Sequence, residues 1–150
     1  RLGEGLASVC AVVDPALVVI GGGVADAGPL LLDPVTETFA ALVPVCGGLL
    51  HPRRPSMAVG GLEGEDDPYA AVAQRLRDLP VWIFHGARDG AVPVEYSRRL
   101  DAAFRAAGAR DARYTEFPDA NHNSWDPAYA TPQLWDWLFA QVRPGATGQR

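Results

Sequence analysis

Four strand-length runs, at positions 16–20 (ALVVI), 39–45 (FAALVPV), 81–84 (VWIF) and 114–117 (YTEF), alternate along the chain with stretches whose apolar residues recur at helical spacing. Leu2, Leu6, Val9, Cys10 and Val13 make the first such stretch, and Asp14-Pro15 stops it. Tyr69, Val72, Ala73 and Leu76 share a face of another, predicted from Pro68 to about Arg77. Leu100, Ala103, Phe104 and Ala107 align on a third, predicted from about Val94 and capped by Gly108. Strands separated by helices pair in parallel through crossovers, and a parallel sheet buries both its faces under helices. The predicted fold class is therefore α/β, a parallel sheet covered by helices in three layers. Ligands of such a sheet sit at the carboxyl ends of its strands.

The remaining segments fit between these elements. A helical stretch begins near Ala25 and is bent or broken at Pro34, and Thr131-Pro132 supplies an N-cap and a first-turn proline for the last helix. Positions 50–67, rich in Gly, Pro and charge, read as an irregular functional or mobile loop. With 150 residues, 48% of them hydrophobic, the chain suffices for one domain with a core and is too apolar for disorder.

Charge and cysteine usage narrow the partners. The net charge is −5, and all 13 basic residues are Arg, scattered in ones and twos, which argues against nucleic acid and anionic membranes. Cys10 and Cys46 lie in apolar surroundings without CxxC or metal spacing, so buried free thiols are expected rather than a disulfide. His51 and His85 lack a ligand partner at metal spacing, and no metal or other cofactor is expected. Trp125, Trp135 and Trp137 read as packing and loop anchors. No apolar run is long enough to span a bilayer, and no charged-then-apolar leader is seen at Arg1. The expected location is cytoplasmic by default, and the chain reads as an internal piece of a longer gene.

Two candidates for chemistry fall at successive strand ends. The third run delivers His85, Gly86 and Asp89; the loop after the fourth, DANHNSWD, carries His122. Neighbouring strand ends lie about 5 Å apart, so an acid on one loop can reach an imidazole on the next. An Asp that accepts the Nδ1 proton of a His fixes its tautomer and stabilises the imidazolium, as general-base catalysis requires. Taken singly, Asp89-Gly90 is a good turn dipeptide and His122 a solvated loop residue.

The stretches FAALVPVCGG, DLPVWIFHGARDGAVPVEYSRRL and RYTEFPDANHNSWDPAYATPQLWDWLFAQ, within positions 39–142, resemble the C-terminal half of an α/β-hydrolase esterase. The group is that of dienelactone hydrolases, prolyl-oligopeptidase-like hydrolases and polyester or feruloyl esterases. The resemblance implies an α/β-hydrolase fragment over positions 37–143, followed by a flexible tail at 144–150. It places the catalytic acid on Asp89 and the base on His122, gives Pro93 and Trp125 loop-shaping positions, gives His85 a structural one, and implies a small-molecule ester as substrate. The acid precedes the base, in the order of that fold. A nucleophile elbow, G-x-S-x-G, is absent: Ser8, Ser56, Ser97 and Ser124 all lack that setting, and Cys10 and Cys46 do not replace it. The expectation is a serine-hydrolase-derived domain with two triad members and no nucleophile, inactive alone.

Positions 2–35 (LGEGLASVCAVVDPALVVIGGGVADAGPLLLDPV) resemble instead the C-terminal lobe of ROK sugar kinases, Asp14-Pro15 and Gly21, Gly22 and Gly23 matching its glycine turn. That implies a ROK-like segment at 1–36 packed into the same domain, with a junction between about Leu32 and Phe39. It leaves two alternatives, a nucleotide- or sugar-binding remnant at the three glycines or a chimeric non-catalytic chain. The catalytic base, sugar-binding residues and zinc cluster of that family have no counterpart here. A four-stranded remnant is also expected to expose an apolar edge that favours self-association.

Overall fold

The computed structural model describes residues 39–51, 54–58, 62 and 64–142. The ROK-like segment, its glycine turn at Gly21 to Gly23, the run at 16–20, Ser8, Cys10 and the tail at 144–150 lie outside the described residues. In chain order the elements are β1 (Leu50–His51), β2 (Arg54–Ala58), α1 (Pro68–Leu76), β3 (Val81–Gly86), α2 (Glu95–Ala106), β4 (Ala112–Phe117), α3 (Trp125–Tyr129) and α4 (Pro132–Phe139).

The sheet is parallel. β3 pairs with β4 from Val81↔Ala112 through Gly86↔Phe117. On the other side of β3 runs the segment 42–46, joined by parallel bridges Leu42↔Val81 and Val45↔Phe84. Its bonds are Leu42 N to Pro80 O, Trp82 N to Leu42 O, Phe84 N to Pro44 O and Cys46 N to Phe84 O, at 2.9–3.0 Å. The rung missing from that ladder falls at Pro44, which has no N–H, so the predicted strand at 39–45 is interrupted rather than continuous.

Period-two alternation divides the core into two layers. Val81 and Ile83 face a cluster with Val72, Ala73 and Leu76 of α1 and Phe104 of α2. Trp82 and Phe84 face the opposite cluster, with Ala128 of α3 and Leu134, Trp137 and Leu138 of α4. Helices thus cover both sides of the strands, the three-layer α/β arrangement. Every residue of β3 is buried, as expected of a strand with neighbours on both sides and helices above and below.

Helix ends follow local chemistry. The Asp67 carboxylate accepts from the Tyr69 and Ala70 amides at 2.9 and 3.2 Å, capping α1 before Pro68. Gly108 takes a left-handed φ of 66° beyond α2, and the Gly108 and Ala109 amides close on Arg105 and Phe104.

Three expectations change. Positions 50–67 are not wholly irregular: β1 and β2 form an antiparallel hairpin, with a register shift between Leu50 and His51. Pro55 lies within β2, and a proline in so short a ribbon interrupts no central ladder. Thr131 stands at the N-cap of α4, but its hydroxyl donates backward to the Pro127 carbonyl at 2.9 Å and makes no cap bond. Finally, α3 is an additional helical turn whose signal is masked by Pro127 and its short length.

Candidate active site

Asp89 and His122 meet at the carboxyl end of the sheet. β3 ends at Gly86, and the turn after it is closed by Asp89 N bonding Gly86 O at 3.1 Å. The loop after β4 folds against this turn through Ala87 N to Phe117 O at 2.9 Å and Arg88 N to Ala120 O at 3.0 Å. Gly86 is required at the crossing. A Cβ there would lie 2.7 Å from the Ala120 carbonyl carbon, and nearer still to the Ala120 and Asn121 oxygens.

The two loops bring Asp89 Oδ2 to 2.9 Å from His122 Nδ1. The Asp89 side chain is wholly buried, and that of His122 is 38% exposed. Asp89 Oδ1 accepts from the Ala91 and Val92 amides at 2.8 and 2.9 Å. Burial pushes the Asp89 carboxyl up, but the Val92 and Ala91 amides and the His122 ring outweigh it and hold the group below the ordinary carboxylate range. An ionised Asp89 can only accept, so Nδ1 donates and neutral His122 keeps its lone pair on Nε2. Nε2 has no hydrogen-bond partner among the described residues. The arrangement is that of a general base oriented by a carboxylate.

Two residues outside the acid–base pair complete the surroundings. His85, fully buried, places Nε2 3.1 Å from both Asp89 Oδ2 and the Val92 carbonyl, with Nδ1 2.7 Å from Ser97 Oγ. Sequence reasoning gave it only a structural position; the missed signal is a polar ring ending an otherwise apolar, buried strand, where partners are obligatory. Cys46, buried and free, follows the first parallel segment with a left-handed φ of 52°. Its thiol donates to the His122 carbonyl at 3.2 Å and shares a 2.6 Å bond with Ser124 Oγ. Burial pushes the Cys46 thiol up despite those bonds, so it holds its proton at neutral pH.

The tryptophans divide. Trp137 is buried and donates to Asp111 Oδ2 at 2.7 Å. Trp135, half-buried, stacks between Tyr129 and Phe139 with centroids 6.2 and 6.3 Å away. Trp125, expected to be a packing or loop anchor, is 41% exposed and meets the His122 ring edge-on at 5.7 Å, because α3 starts immediately after the His122 loop.

Ser97 and Ser124 are both buried and bonded to His85 and Cys46. The side chain of Ser56, on β2, lies outside the described residues. As to metals, Cys46, Asp89 and His122 bring donor atoms within 4.8 Å of one another. The thiol is protonated and the carboxylate already faces two amides and two imidazoles, so this trio makes a poor site for a cation. His85 does not join it.

This sheet, with its loops at the carboxyl edge, is a fragment of the α/β-hydrolase fold. No protein-family model and no curated protein sequence matches the chain. Solved structures do. A thermostable esterase superposes with a TM-score of 0.62 at 25% identity, over 93% of this chain and 36% of that one. The esterase domain of a Rhodothermus marinus protein gives 0.59 at 23% identity, over 90% and 66%. A Klebsiella pneumoniae protein assigned to the dienelactone hydrolases gives 0.60 at 23% identity, over 93% and 59%. The chain thus spans between about one-third and two-thirds of the length of these structures.

Proposed function

We propose that the chain is a carboxylic-ester-hydrolase-derived domain that carries the acid, Asp89, and the base, His122, of a Ser-His-Asp triad without its nucleophile. The observation carrying this reading is the 2.9 Å bond between a buried carboxylate and a partly exposed imidazole at adjacent parallel strand ends. In that role His122 Nε2 would take the proton of an attacking hydroxyl and return it to the leaving alcohol, while Asp89 stabilises the imidazolium. Likeness to esterase structures supports an ester as the ancestral substrate.

The sequence contains no G-x-S-x-G turn, and proton transfer without an attacking oxygen splits no ester. The chain alone is therefore expected to be inert. Incubation with a fluorophosphonate probe, followed by peptide mass spectrometry, tests this directly. The expected result is no labelled serine, and p-nitrophenyl acetate hydrolysis equal to that of His122→Ala. A labelled serine, or hydrolysis that His122→Ala removes, would overturn the assignment of a missing nucleophile.

A further inference from the structure

We propose that His85 is a positioning residue for the acid–base pair: through Nε2–H it holds the Val92 carbonyl, and with it the loop whose Val92 amide fixes the carboxylate that orients His122. The inference rests on the acid–base reading above and extends it outward, to a chain running Ser97, His85, Val92, Asp89, His122.

His85 Nε2 faces two groups at 3.1 Å, Asp89 Oδ2 and the Val92 carbonyl, and both can only accept. Nε2 must therefore carry the proton; its hydrogen bond goes to the Val92 carbonyl, with Asp89 Oδ2 close beside it. The opposite nitrogen, Nδ1, then receives the Ser97 hydroxyl at 2.7 Å, and the ring is satisfied without a charge. Asp89 has two backbone amides on Oδ1 and the His122 N–H on Oδ2, with His85 Nε2 standing 3.1 Å from that same oxygen. No other rotamer of the carboxylate keeps all three of these bonds. Val92 ties the clamp to the loop itself, since its amide bonds Oδ1 and its carbonyl bonds His85. Ser97 belongs to α2, so the helix behind the sheet sets the angle of the ring and thereby of the acid.

Side-chain nitrogen NMR on the whole chain tests this. In the wild type the account requires the Nε2–H form of His85 and a slowly exchanging Hδ1 on His122. His85→Gln, whose Nε2 overlays that of the ring, should keep the His122 Hδ1 exchange rate within about twofold, while His85→Asn, which reaches Ser97 but not the Val92 carbonyl, should speed it about tenfold or more. Equal rates in the wild type and a folded His85→Asn would overturn the proposal. If that variant does not fold, the tautomer of His85 in the wild type decides, an Nδ1–H ring overturning the clamp and an Nε2–H ring supporting it. A wild type without any Hδ1 on His122 would instead overturn the underlying acid–base reading, a distinct result.

Discussion

Substituting Gly86 by alanine should unlatch the two loops that carry the acid and the base. The new Cβ would stand 2.7 Å from the Ala120 carbonyl carbon. Carbon atoms in ordinary contact lie about 3.5–4.0 Å apart, so the loop after β4 must recede by about 1 Å. Two backbone bonds span that crossing, Ala87 N to Phe117 O at 2.9 Å and Arg88 N to Ala120 O at 3.0 Å. The Asp89–His122 bond, 2.9 Å long, spans it as well. Adding about 1 Å takes all three to or beyond the limit of a hydrogen bond. Each backbone bond contributes about 1 kcal/mol net and a bond to a charged group about 1.5–3, so the loss is about 3–5 kcal/mol. For a chain of this size that lowers Tm by about 10 °C. Thermal unfolding followed by circular dichroism measures it. A Tm within about 2 °C of the wild type would refute the claim that this glycine is required by the loop crossing.

Three further outcomes follow from named contacts. Asp67→Ala removes the cap of α1 and should cost about 1 kcal/mol, read as a lower urea midpoint with unchanged m; an unchanged midpoint counts against the cap. Glu116 is held down to about 2 from the ordinary 4.5, chiefly by Arg98 and then by the Tyr114 hydroxyl. Because its folded value is depressed, its contribution is present above pH 4.5 and disappears as pH falls towards 2. Glu116→Gln should therefore flatten the stability profile in that window, and an unaltered acid limb would contradict it. Cys46, 2% exposed and with its thiol pushed up by burial, should react with Ellman's reagent at pH 8 at least about tenfold more slowly when native than when unfolded, measured in a Cys10→Ser background. Equal rates would show that the thiol is not buried.

Sequence alone carried the layers and the convergence of the loops, and for definite reasons. Strand and helix periods are local properties, so α1, β3, α2 and β4 lie within a few residues of their predicted bounds. The meeting of Asp89 with His122 follows from parallel order, because consecutive strands joined by one helix end at the same edge. What stayed hidden depends on partners distant in sequence. His85 shows its place only when Val92 and Ser97 are folded around it, and Cys46 only when Ser124, 78 residues away, meets its sulfur. The hairpin of β1 and β2 was obscured by Pro52 and Pro55, residues that suggest breaks in a strand yet are tolerated in a two-stranded ribbon. The Thr131 hydroxyl could not be assigned in advance, since Pro127 O and the amides of α4 compete for it on equal local terms.

The central claim is that Asp89 holds the Nδ1 proton of His122, and the side-chain nitrogen spectrum of the wild-type protein just above neutral pH tests it most directly. The account predicts an Nδ1–H tautomer for His122 that Asp89→Asn shifts towards Nε2–H, because the amide replacing Oδ2 donates rather than accepts. A His122 already in the Nε2–H form, or one indifferent to Asp89→Asn, would contradict it.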